Sequence, residues 1–215
     1  LVGLPTPVSS LISACYYVGF LVGSRLTLSA LGRVGHIRVY SALASTLAAA
    51  IVAVGVTHDA TSWALLRLAT GLCTAGIYVV AESWLNDLAT NENRGRLMAI
   101  YSVVTIAFFG AGQVFVSAFD ARVVTGYALA AILTSLAVAP VSLSEEARAP
   151  SLEEAEHLSL RELAKKVPSG VGSVLLIGVA HGGMAGMLAI YATRVGLSAT
   201  QIGLCVALSS VGGVL

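Results

Sequence analysis

Runs of roughly 20 mostly apolar residues, separated by short polar segments, dominate this chain. That length matches a bilayer hydrocarbon core of about 30 Å crossed by a helix rising about 1.5 Å per residue. Successive runs cover residues 8–31, 37–56, 62–85, 97–119, 123–141 and 171–191, and a seventh starts near Gln201. Lipid offers no partner to a free peptide group, and the runs are too long for barrel strands, so each is expected to be a helix. The expected fold class is therefore an all-α, polytopic membrane bundle.

Composition agrees, with 57% hydrophobic and only 11% charged residues against about 25% charged in soluble chains. The charges are also clustered, ten of the 23 lying between Ser142 and Lys166. A net charge of +1 argues for no nucleic-acid partner. Lys and Arg favour the cytoplasmic side. Residues 25, 33, 38, 94, 96, 148, 161, 165 and 166 fall on one side of the proposed spans and 122 and 194 on the other. That imbalance places residue 1 outside. Trp63 and Trp84 flank the third run, and their separation of roughly 31 Å along a helix matches the distance between the two interfaces.

The charged stretch divides the chain into an N-terminal membrane half (1–141), a cytoplasmic linker (142–168) with an amphipathic helix over 152–163, and the start of a second half (169–215). Cys15, Cys73 and Cys205 sit apart in apolar runs with no metal or redox spacing, so no metal or cofactor is expected. The chain begins at Leu1, shows no signal peptide and stops inside an apolar run, which suggests a piece of a longer membrane protein. Residues 3–22 overlay 196–215 with Gly3/Gly196, Leu4/Leu197, Leu11/Leu204, Ala14/Ala207 and Gly19/Gly212 identical, either by chance or as parallel repeats.

An ionisable side chain inside a span costs about 2.5–3.5 kcal/mol, so each needs a reason. Arg67, Gly71, Thr74, Tyr78 and Glu82 fall on one stripe of the third helix, which makes Arg67, Tyr78 and Glu82 candidates for the wall of a solute or proton pathway. The alternative is that Arg67 and Glu82 snorkel to the nearer interface. His181 lies mid-span beside Gly178, Gly182 and Gly186, a ridge suited to close helix contact; it is either a proton-responsive cavity group or a core residue bonded to backbone. Gln113 joins helices or lines the pathway, and at most one of Tyr16 and Tyr17 can face a cavity. Gly-x-Ser-x-Gly, phosphate-loop and His-Glu-x-x-His motifs are missing, and the histidines lie apart from paired carboxylates, so an enzyme is not expected.

Three segments carry a resemblance. Leu66-Arg67-Leu68-Ala69-Thr70-Gly71 resembles the fourth-helix motif of the major facilitator superfamily, and Asn93-Arg94-Gly95-Arg96 resembles its loop between helices four and five. Residues 32–38, reading Gly-Arg-Val-Gly-His-Ile-Arg, resemble the tail of its signature loop between helices two and three. Glu82-Ser83-Trp84-Leu85-Asn86 with the following 91–96 segment is similar to the YcaD-like branch.

That resemblance implies a secondary transporter working by alternating access, with the spans as helices two to seven and the start of eight. Its partners would be a small solute, protons and the lipid bilayer of a bacterial cytoplasmic membrane, with no obligate protein partner. Arg67 would bind an anionic solute or influence a coupled proton, while Arg33, Gly35, Arg38, Arg94, Gly95 and Arg96 would form the cytoplasmic gate. Two departures stand out. Gly32 occupies the place of the usual signature-loop aspartate, and Gly110-Ala111-Gly112-Gln113 lacks the proline of drug/proton antiporters. A membrane sensor or scaffold on the same fold is the competing reading.

Overall fold

A computed structural model of the chain describes residues 6–117, 119, 123–143 and 160–212. Every regular element among them is helical: α1 Thr6–Val34, α2 His36–Val56, α3 Ala60–Leu88, α4 Arg94–Ser117, α5 Val124–Leu136, α6 Val138–Ser142, α7 Leu160–Lys166, α8 Pro168–Arg194 and α9 Ala199–Gly212. Five stretches are long and apolar enough to cross a membrane, ending with α5 and α6 taken together, and α8 is 27 residues long. Large apolar side chains point outward along them, Phe108 at 75% and Val179 at 77% exposure. A water-soluble surface does not tolerate that; hydrocarbon does.

The helices are longer, and the turns shorter, than the sequence suggests. The basic segment 32–38 is no loop: α1 runs to Val34, α2 starts at His36, and Gly35 alone makes the corner. Its φ of 82° and ψ of 167° lie in a region essentially confined to glycine. Arg94, Gly95 and Arg96 likewise belong to the first turn of α4 rather than to a loop. The fifth run breaks at Ala137 into α5 and α6. Pro140 has no N–H for the Leu136 carbonyl and its ring crowds that carbonyl, which accounts for the interruption.

The chain forms two compact units, Leu1–Met98 with Phe119–Ser151, and Ala99–Ala118 with Leu152–Leu215. In the first, α3 packs against α1 and α2, and α2 also packs against α5. The α1–α3 contact is made by backbone. A Cβ on Gly19 would strike the Leu68 carbonyl, one on Gly23 the Leu72 carbonyl, and one on Gly71 the Tyr16 carbonyl. Gly19 and Gly23 are a Gly-x-x-x-Gly pair, continued one turn on by buried Thr27. Next to this seam, Leu31, Val39 and Val80 form a core flanked by Ala30, Tyr40, Leu43 and Val79.

The α2–α3 turn is tied by Asp59, whose carboxylate accepts the Ser62 N–H at 2.7 Å, and by the Trp63 indole, which donates to the free Val54 carbonyl at 3.4 Å.

In the second unit, Gly110 of α4 faces Ala207 of α9 at ordinary contact distance. The α8–α9 turn closes with Gly196 at φ 81°. There Leu197 N–H donates to the Ala192 carbonyl (3.1 Å) and Gly196 N–H to the Thr193 carbonyl (3.2 Å). Ser198 and Gln201 then cap α9 reciprocally. The expected amphipathic helix over 152–163 lies outside the described residues except for the start of α7.

Gly35→Ala is expected to lower stability by about 1–3 kcal/mol, and Gly71→Leu to prevent the α1–α3 seam from closing; thermal unfolding in detergent reads both. The Asp59 carboxyl is held below its ordinary value by the Ser62 N–H. Its cap is therefore complete at neutral pH and is lost as the pH falls from the ordinary carboxylate value through the lowered one. Asp59→Asn should keep the cap and flatten that part of the acid dependence of unfolding.

Candidate functional site

The polar stripe of α3 turns partly toward α1. Gly71 is buried against the α1 backbone, Thr74 and Tyr78 are half-buried, and Arg67 and Glu82 are exposed. The stripe acquires a member from α1: Tyr16, half-buried, while its neighbour Tyr17 points outward at 56% exposure. The Thr74 side chain of α3 lies next to the Tyr16 phenol. Thr74 Oγ1 itself donates to the Thr70 carbonyl at 2.8 Å. Arg67 and Tyr78 lie close enough to act electrostatically on the same phenol oxygen. The tyrosine rings of 16 and 17 stand edge to face at 5.5 Å, with Phe20 at 6.2 Å from Tyr16.

Arg67, Thr74 and Tyr78, with Tyr16 beside them, form a line of hydrogen-bond donors spread over roughly 16 Å of α3. Such a group suits carboxylate-like or phosphate-like oxygens. Glu82 is not in it. One turn beyond it, Asn86 donates to its backbone carbonyl at 2.9 Å, and fifteen residues of helix place it roughly 22 Å from Arg67. Gln113 is half-buried on α4, in the other compact unit. His181 lies on α8, but its side chain is outside the described residues; a Cβ at Gly178 or Gly182 would meet no atom within 4 Å.

A second polar group occupies the opposite end of the α1–α3 pair. Arg33 ends α1, where a cation complements the helix dipole. Arg38, Arg94, Gly95 and Arg96 are exposed. Between them the Gly35 corner buries His36 to 5% exposure. Its Nε2 is 3.0 Å from Ser83 Oγ and 3.8 Å from Asp87 Oδ2, and its ring centre is 6.2 Å from that of Trp84. Nothing in the sequence signals this role for His36, because its partners are some fifty residues away and no local pattern points to them. Among the described residues no three His, Cys, Asp or Glu side chains converge as a metal site.

The sequence model of the Major Facilitator Superfamily matches residues 2–215. The chain is 33% identical over 218 residues to a protein of Salmonella arizonae named "Uncharacterized MFS-type transporter YcaD", and equally to proteins of that name from Salmonella newport and Salmonella typhimurium. Each alignment covers 99% of this chain and 56% of the relative. The chain therefore spans about half the length of the curated relatives it matches. No solved structure matches it.

If Tyr16 and Thr74 join α1 to α3 as the geometry indicates, Tyr16→Phe and Thr74→Val should be non-additive, with a coupling of about 0.6 kcal/mol in a double-mutant cycle read by unfolding in mixed micelles.

Proposed function

This chain belongs to the Major Facilitator Superfamily, and from that premise we propose that the whole protein is a proton-coupled secondary transporter that carries a small anionic solute by alternating access. The chain is an integral, multi-pass protein of a bacterial cytoplasmic membrane, and its family is one of transporters rather than enzymes. The observation that carries the reading is the Arg67 group. A guanidinium retained within an apolar helix, on the stripe that carries Thr74 and Tyr78 and runs beside Tyr16, needs a compensating role, since the position costs about 2.5–3.5 kcal/mol. An anionic solute supplies one.

In this reading residues 1–141 are the bulk of one membrane half, 142–168 a cytoplasmic linker and 169–215 the opening of the other half. Arg67 takes the negative group of the solute while Tyr78 offers a hydrogen bond. Glu82, Gln113 and His181 lie along the solute and proton path. At the cytoplasmic end, Arg33, Arg38, Arg94 and Arg96 contact helix ends and acidic side chains as the gate closes, and Gly35 and Gly95 let the backbones come close.

The test is flux in vesicles carrying the full-length protein, with and without a pH gradient. Flux that follows the gradient is expected; transport driven only by ATP, or solute binding without flux, would overturn the proposal. Arg67→Leu should reduce flux at least tenfold (about 1.4 kcal/mol) while Arg25→Leu, exposed on α1, should leave it nearly unchanged. Equal losses would remove the Arg67 group from the pathway.

A further inference from the structure

We infer that His36 is a proton-operated latch, which grips the end of α3 when its imidazole is protonated and loosens when it is neutral. Among the described residues it is the only buried acid, base or histidine side chain, and it is the residue through which the start of α2 makes polar contact with the end of α3. One nitrogen, Nε2, faces both Ser83 Oγ at 3.0 Å and Asp87 Oδ2 at 3.8 Å. That arrangement has two states. A neutral ring shares a single ordinary hydrogen bond with Ser83, as donor or acceptor according to its tautomer. A protonated ring donates from the same nitrogen and adds a charge-assisted attraction to Asp87, with the Trp84 indole beside it. Asp87 is 41% exposed, so water reaches the pair from one side and can deliver the proton.

The charged surroundings leave Asp87 as the sole ionised partner. On α3 it is the carboxylate that acts on the ring; Glu82 is exposed and Asn86 is uncharged. On α1 the nearest cation, Arg33, and on α2 Arg38, are exposed, and Tyr40 is half-buried. From α5 the titratable side chain is Tyr127, and α6 contributes none. At the start of α4, Arg94 and Arg96 are exposed. Burial disfavours the charged imidazole and holds it below its ordinary value, with Asp87 opposing that effect, so the ring takes up its proton on the acid side of neutrality. Since Gly35 is the only residue between α1 and α2, a change in how α2 is held passes directly to α1.

The location at the cytoplasmic face rests on the transporter reading above, but the latch itself does not, so its test uses neither solute nor gradient. In the full-length protein, with native cysteines replaced, spin labels at Ala42→Cys on α2 and Leu88→Cys on α3 report the separation of the two helix ends by pulsed electron paramagnetic resonance. Between pH of about 5.5 and about 8, the longer-distance population is expected to grow roughly threefold or more as the pH rises. His36→Gln, which keeps a neutral hydrogen bond to Ser83, should remove the pH response, and His36→Arg should hold the short distance at both values. Asp87→Asn should weaken the acid state. A distance distribution indifferent to pH in the unmodified sequence, or a response that survives in His36→Gln, would overturn the latch. A pH response that stays intact while the separate vesicle experiment finds no flux would instead count against the transporter reading.

Discussion

Hydrocarbon cannot hydrogen-bond a peptide group, and from that restriction the rest of this structure follows. It makes each long apolar run a helix, and it removes the hydrophobic drive that would press helices together in water. What remains to join them is close packing and a few polar contacts. Gly19, Gly23 and Gly71 provide the first by letting α1 and α3 meet backbone to backbone. Tyr16 beside Thr74, between α1 and the middle of α3, and His36 with Ser83, between α2 and the end of α3, provide the second.

How much of this could be read beforehand depended on whether the signal was local. Span existence was legible because length and apolarity are properties of one segment: the runs near 37–56 and 62–85 became α2 and α3 with ends moved by at most three residues. Turn lengths were not. Residues 32–38 look like a polar loop, yet a helix end tolerates arginines that reach water, so α1 continues through Arg33 and only Gly35 breaks it. The interruption at Ala137 was local in cause, through Pro140, and was within reach.

The candidate site was legible on one helix and hidden across two. Periodicity put Arg67, Thr74 and Tyr78 on one stripe, and the fold sets Tyr16 of α1 beside it. It gave no means of choosing Tyr16 over Tyr17, because that choice depends on which face of α1 the glycines bring against α3. Glu82 shares the stripe one turn beyond Tyr78, where it is exposed. His36, paired with residues 47 and 51 positions away, left no trace in any local pattern.

The corner at Gly35 has a mechanical meaning. A loop of several residues would act as slack, absorbing displacement of one helix before the next felt it. A single residue, fixed in an uncommon backbone conformation, has almost none to give. Tilting the start of α2 must therefore swing the end of α1, and through their glycine seam α1 takes α3 with it. With its elbow at the membrane surface, the α1–α2 corner therefore hands a small push at the start of α2 to α1, and so to its glycine seam with α3, before any slack can take it up.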